Sequence, residues 1–351
     1  MKKIISLFIS LGLLALIYWK IDFGKLLPVF AASDPMWMVL SLGMVVPLTL
    51  FTSWRLQQLM PQRDQLSFGE ANRLILVASV LNLVLPSKMG DIAKAWFMRD
   101  RGHLQGSLAL SLVVFEKSCD MLSLLLRCVF GMIWLGVTSL EGSAGYDLSV
   151  GAERLGTDAA ASMWIAEHGA IAWGVAFAGV LGLLVLGLLL LGSRRFACFF
   201  FGLGEKFAPG KLKAKFAKLG ASWNEMHGYF WSSKRRFFLV AGTSVFIWFL
   251  HLLQIWMFIL ALEATAPFFA TLALSALAIL AGLLPLTFAG VGTRDAALVL
   301  FYAPYFEAHV AAALGLLCTA RYILPAIGGL PFAPAYFQRV KGLQGGRVAA
   351  D

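Results

Sequence analysis

Apolar residues run along this chain in blocks long enough to cross a bilayer, with the polar residues confined to the gaps between them. A hydrocarbon core about 30 Å thick needs roughly 20 apolar residues in a helix. Blocks of that kind stand at about 4–20, 36–53, 106–137, 169–192, 237–262 and 307–331. Two further apolar stretches, about 70–101 and 267–303, are each broken in the middle by Pro and Gly and carry charges at the break. The pattern predicts an all-α polytopic membrane protein with about six spanning helices. The first is read as an uncleaved helix, because Met1-Lys2-Lys3 and the apolar run behind it lack a small-residue cleavage site. A hydrophobic fraction of 60% against 14% charged residues excludes an ordinary soluble domain.

Charge orients these blocks. Segment 193–236 holds ten Lys and Arg against Glu205 and Glu225, whereas 138–168 has Arg154 alone against five carboxylates. Cytoplasmic loops carry the Lys and Arg excess, so 193–236 reads as a basic cytoplasmic linker and 138–168 as a non-cytoplasmic loop. With Lys2, Lys3, Arg339, Lys341 and Arg347 also inside, six crossings satisfy every loop. That places the chain in the plasma (inner) membrane with both termini cytoplasmic. A single crossing at either broken stretch would invert everything after it, so each is expected to enter and leave on one side. The expectation is two opposed re-entrant hairpins, 70–101 in a first half (1–137) and 267–303 in a second half (237–351), forming an inverted repeat within one membrane domain (1–351). Such repeats commonly hold a site between their halves. The linker alternates Lys with Phe and Leu, as in Lys211-Leu212-Lys213-Ala214-Lys215-Phe216. It reads either as a plain inside loop or as an amphipathic helix on an anionic lipid surface; tethering at both ends makes nucleic acid a poor partner.

Ionisable residues inside spans are costly and normally face an interior pathway or a partner. In the third block Glu116, Asp120 and Arg127 fall at i, i+4 and i+11, on one helical stripe, with Lys117 on its flank. These either neutralise one another as a packing lock or line a cavity. The first broken stretch adds Lys88 and Asp91, with Lys94 nearer the headgroups, and the second adds Arg294 and Asp295. Cations beside unwound backbone at a half-helix N-terminus make a cradle for phosphate. Asn82, Pro86, Gly90, Pro285, Gly290 and Gly292 supply the helix breaks. Arg321, just before Pro325, is either a further phosphate contact or a side chain reaching the headgroups. His251 and Gln254 are read as interhelical hydrogen-bonding residues.

Catalytic and cofactor chemistry has no positive signal. Gly290-Val291-Gly292 lacks the third glycine and acidic partner of a dinucleotide fingerprint, and Gly210-Lys211 lacks the glycine spacing of a P-loop. Cys119, Cys128, Cys198 and Cys318 show neither metal nor disulfide spacing. No cofactor or metal is expected.

The run Asn82-Leu83-Val84-Leu85-Pro86-Ser87-Lys88-Met89-Gly90-Asp91, the Glu116-Lys117 pair with Asp120, and Pro285 through Gly290, Gly292 and Asp295 resemble the flippase-like family typified by the transmembrane region of lysylphosphatidylglycerol synthase. In that family Arg is expected where Lys88 and Lys117 stand, and often Glu where Asp295 stands, so charge is kept while geometry changes. The resemblance implies the lipid-translocating part without the soluble aminoacyl-transferase domain. It implies a translocase handling a phosphate-bearing or polyprenyl-linked lipid. Lys88, Lys94, Lys117, Arg294 and Arg321 would bind the substrate, and Asp91, Glu116, Asp120 and Asp295 would balance charge or carry a proton. A membrane-embedded transferase and an accessory subunit of a lipid-synthesis complex are the alternative readings.

The topology is directly testable. Single cysteines in 193–236 should react with an impermeant thiol reagent only from the cytoplasmic side, and those in 138–168 only from the opposite side; the reverse labelling would refute the orientation.

Overall fold

The computed structural model describes residues 23–61, 66–84, 90–102, 104, 106–140, 159–283 and 292–336. All its regular structure is helical. The first half contains α1 (Phe23–Ala31), α2 (Pro35–Gly43), α3 (Val45–Leu59), α4 (Phe68–Val84), α5 (Gly90–Gly102) and α6 (Gly106–Leu140). Then come α7 (Ala159–Gly192), α8 (Arg194–Phe207) and α9 (Lys211–Trp231). The second half contains α10 (Lys234–Ala261), α11 (Phe268–Gly282), α12 (Thr293–Tyr302) and α13 (Ala308–Gly329).

Five of the six expected crossings are present as helices of sufficient length and apolarity: Pro35–Leu59, Leu108–Val137, Glu167–Gly192, Lys234–Ala261 and Ala308–Gly329. The block at 4–20 lies outside the described residues. Two boundaries differ from the sequence expectation. The second span continues past residue 53 to Leu59, because Leu56 and Leu59 are fully buried and extend its apolar side beyond an arginine. Helix also reaches into 138–168 from both ends, to Leu140 and from Ala159; residues 141–158 lie outside the described residues. The linker 193–236 is helical through α8 and α9, which pack side by side with Phe216 lying against Gly204.

Local chemistry explains the helix starts and the tolerance of polar residues at depth. Asp34 caps α2 by accepting from the N–H of Met36 (2.8 Å) and Trp37 (3.1 Å), with Pro35 at the first helical position, where no N–H is needed. In α3 the hydroxyls of Thr49, Thr52 and Ser53 donate to the carbonyls of Val45, Leu48 and Thr49, so no hydroxyl is left unpaired in lipid. α7 is among the least covered spans, with Ile171 and Val175 about two-thirds exposed, as suits a lipid-facing helix.

Each broken stretch is a helix pair, α4–α5 and α11–α12, and each pair packs against itself. Their residues 85–89 and 284–291 lie outside the described residues. The first helix of each pair also packs against a long helix of the other half: α4 on α13, and α11 on α6. Both crossings are close. A Cβ on Gly131 of α6 would stand 2.5 Å from the Ala273 Cβ of α11, and one on Gly329 of α13 would collide with the Leu76 carbonyl of α4. Two apolar clusters result, one around Leu56, Leu74, Phe115 and Phe230 and one around Phe258, Leu274, Leu298 and Leu314. α6 runs through both clusters and carries Glu116 and Asp120 between them.

Gly131→Leu should wedge α6 from α11 and lower stability by about 1–3 kcal/mol, the usual cost of overpacking. Thermal unfolding of the detergent-solubilised protein measures this; an unchanged midpoint would mean the helices are not in close contact.

Candidate functional site: a charged intramembrane cavity

A cavity of about 310 Å³ opens where α3, α4, α5, α6, α10, α11, α12 and α13 converge. Its innermost layer is built on Glu116 of α6, which is fully buried. Arg55 of α3 donates Nη2 to Glu116 at 2.6 Å and Nη1 to Asp120 and, at 2.7 Å, to the Ser244 hydroxyl of α10. From the other side Lys94 of α5 donates to Glu116. Three helices are thereby tied through one carboxylate. Lys94 is 1% exposed: the structure corrects its expected position near the headgroups, because folding α5 onto α6 carries the ammonium inward to Glu116.

A second layer is looser. Lys117 pairs with Asp91 at 3.1 Å and Asp120 at 3.7 Å, and its side chain is 45% exposed. Lys117 is the most accessible of the described cations lining the cavity, so its pairs are the ones placed to exchange partners. The expected stripe of Glu116, Asp120 and Arg127 divides. Arg127 bonds the carbonyls of Ser123 and Val245 and is not part of the cavity wall, since eleven residues along α6 it has passed from the cavity to the contact with α10.

On the second half, Arg294 lines the cavity but is held by its neighbour Asp295, which accepts from Nε at 2.9 Å and Nη2 at 2.6 Å. The remaining bonds of its guanidinium go to Thr319 and to the Gly315 and Cys318 carbonyls, locking α12 to α13. Gly315 permits this approach, since a Cβ there would sit 3.0 Å from Asp295. Asp295 also accepts from the N–H of Gly292 at 3.1 Å. Gly292, at φ 102°, starts α12 in a conformation that a residue with a Cβ adopts only with strain.

Arg321 of α13 differs from these. It is 4% exposed and lines the cavity. It donates to the His251 carbonyl at 3.2 Å and the Tyr322 hydroxyl at 2.9 Å, its Nε has no hydrogen-bond partner, and among the described residues no carboxylate pairs with it. The lining comprises five described cations, Arg55, Lys94, Lys117, Arg294 and Arg321, against Asp91, Glu116 and Asp120. With Asp295 neutralising Arg294, one positive charge remains uncompensated, and it falls at Arg321.

Of the breaking residues, Asn82 and Gly90 meet: a Cβ on Gly90 would be 2.7 Å from the Asn82 Oδ1, so glycine allows α5 to start against α4. The Asn82 Oδ1 has no hydrogen-bond partner, and the residue lines the cavity. Gln254 makes an interhelical bond to the Ser41 carbonyl at 2.8 Å. Lys88, Pro86, Pro285 and Gly290 lie outside the described residues. Arg55 is the residue that sequence reasoning missed. It stands two positions beyond the expected end of its span, where an arginine reads as a headgroup anchor; the apolar Leu56, Leu59 and Met60 that follow it were the available signal.

The family described as the lysylphosphatidylglycerol synthase TM region matches residues 3–329. No curated protein matches the chain.

The two layers should respond differently to mutation. Glu116→Gln leaves Lys94 buried without its anion and should cost about 3–5 kcal/mol, whereas Lys117→Gln should cost less than about 1 kcal/mol. Thermal melts of the purified variants in detergent distinguish these; equal losses would refute the division into a fixed and an exchangeable layer.

Proposed function

The chain belongs to the lysylphosphatidylglycerol synthase TM-region family, which carries a membrane-lipid function, and we propose that it is a translocase for a phosphate-bearing lipid. The observation that carries the proposal is Arg321, a cation buried in a membrane-embedded cavity with no carboxylate among the described residues to neutralise it. A charge in such a place is expensive unless an anion joins it. A lipid phosphate supplies that anion. Guanidinium suits it, since its planar fork can donate two parallel bonds to phosphate oxygens.

In this reading Arg55, Glu116 and Lys94 are the fixed frame, and Arg294 with Asp295 is a second frame. Arg321 and Lys117 meet the headgroup, Lys117 releasing Asp91 or Asp120 as phosphate takes their place. Lys88, in the segment joining α4 to α5, remains a candidate contact on sequence grounds: Leu83 and Asp91 on either side of it line the cavity. The exchange of partners between halves, α4 on α13 and α11 on α6, supports an inverted repeat whose two arrangements expose the cavity to opposite leaflets. The orientation, with both termini and 193–236 at the cytoplasmic face of the inner membrane, follows from the Lys and Arg asymmetry. α8 and α9 then lie on that anionic face, with Phe199, Leu203 and Phe207 exposed along one side of α8 and Lys206, Lys213 and Lys218 available to headgroups.

Reconstitution into liposomes with labelled anionic and zwitterionic phospholipids tests the function, scoring leaflet exchange and, by mass spectrometry, chemical conversion. Exchange without conversion is expected. Arg321→Gln should reduce anionic-lipid binding and exchange about tenfold to a hundredfold, the value of one charge-assisted contact, with a melting temperature close to that of the parent. Conversion of the lipid, or full exchange by the variant, would overturn the proposal.

A further inference from the structure

A headgroup cavity of about 310 Å³ leaves the lipid's acyl chains without a place, and a second feature of the fold supplies one. An apolar groove of about 890 Å³ lies between α6, α7 and α11, extending to α9 and α12. Its long wall is α7, which contributes Gly169, Trp173, Ala176, Val180, Leu183, Gly187 and Leu190. These recur at steps of four and three, the spacing of a helix-packing seam. Where such a seam would normally carry large knobs, Gly169 and Ala176 have almost no side chain. α7 contacts α6 through Leu184, with Leu125 and Val129 opposite it, and through Gly187, where a Cβ would stand 2.5 Å from Leu122, while the seam around Gly169 and Ala176 lines the groove. From Gly169 to Leu190 the helix rises about 31 Å at 1.5 Å per residue, about the thickness of a hydrocarbon core.

The groove is suited to hydrocarbon because its lining is almost wholly apolar and two of its polar groups are already paired. The Ser118 hydroxyl donates to the Val114 carbonyl at 2.9 Å, and the Trp223 Nε1 donates to the Leu190 carbonyl at 2.9 Å. It also adjoins the charged cavity. Leu283, at the end of α11, lines both. On α6, Lys117 and Asp120 line the cavity while their neighbours Ser118 and Met121 line the groove, so one turn of helix has a charged side and an apolar side.

We infer that this groove is the acyl-chain site of the transported lipid, occupied by a chain of the same molecule whose phosphate is held at Arg321. The inference rests on the translocase reading and adds the tail to it. Leu283 is the gate between the compartments, and the small residues of α7 set how bulky a chain is admitted. A second copy of the chain seated on the same groove is the competing occupant.

The test uses the full-length protein in vesicles containing an anionic phospholipid with a photoactivatable diazirine near the end of one acyl chain, adducts being mapped by peptide mass spectrometry. A dihexanoyl anionic phospholipid, too short to fill the groove, reports headgroup binding separately. Adducts should concentrate on groove residues such as Met121 and Leu183 rather than on the outward-facing Ile171 and Val175. Ala176→Phe, and independently Ala172→Phe one turn away, should reduce groove adducts and leaflet exchange about tenfold, the scale of a lost apolar subsite, while dihexanoyl-lipid binding stays at the parental level. Arg321→Gln should reduce groove adducts as well, since the headgroup anchor is gone. Adducts as dense on Ile171 and Val175 as in the groove, undiminished exchange in both groove variants, or crosslinks between two copies at these positions would overturn the acyl-chain site while dihexanoyl binding leaves the translocase reading intact. Failure of the dihexanoyl lipid to bind the parent protein would overturn both.

Discussion

A carboxylate that never reaches water organises this protein. Glu116 is fully buried, and the cost of keeping its charge in a low-dielectric interior is several kcal/mol unless cations meet it. Arg55 and Lys94 do so from opposite sides. Because Arg55 belongs to α3, Lys94 to α5 and Glu116 to α6, satisfying this one group sets the relative rotation and depth of three helices. Such groups specify an arrangement more than they strengthen it: apolar side chains of similar size would often pack at no loss, but they would leave the helices free to slide. Ser244, bonded to the same guanidinium, extends the constraint to α10 in the second half.

The rest of the cavity follows from that frame. With Glu116 committed inward, Asp120 one turn along α6 is left between Arg55 and the more exposed Lys117, and the pairing there is weak enough to change. Arg294 is compensated within its own helix turn by Asp295 and serves to join α12 to α13. Among the described residues Arg321 has no such compensation, because the carboxylates lining the cavity are already held by Arg55, Lys94 and Lys117. The cavity therefore has fixed charges that maintain its shape and one cation whose partner must come from elsewhere. Where the polar side of α6 ends, its apolar side begins, and the groove along α7 lies against it. The lipid proposed as ligand presents a phosphate and a long apolar chain to such a junction.

Close backbone approach is the second constraint. Gly131 against Ala273, and Gly329 against Leu76, bring α6 onto α11 and α13 onto α4 nearer than side chains would allow. In lipid no hydrophobic force drives helices together, so small residues at the crossings and hydrogen bonds between them do that work. The two crossings relate the halves reciprocally, each joining the first helix of one broken stretch to a long helix of the other half.

The amino-acid sequence by itself determined the solvent, the helical class and five of the described spans, because a backbone in lipid must satisfy its own hydrogen bonds and a long apolar run leaves it no other choice. It also singled out Glu116, Lys117 and Asp120, whose spacing along one helix is a local property, and the breaks at Asn82, Gly90 and Gly292. The partners of those charges were not legible. Arg55 was hidden by a span boundary drawn too early, Lys94 lay deeper than its distance from the hairpin break suggested, and Arg127, on the same stripe as Glu116, lies too far along α6 to reach the cavity. Arg294 and Arg321 were equivalent as sequence, yet one is neutralised and the other is not. Only tertiary structure decided these matters, since which charge meets which depends on the rotation and depth of helices far apart in the chain. Hydropathy and periodicity describe one helix at a time and contain no information about how two of them are set against each other.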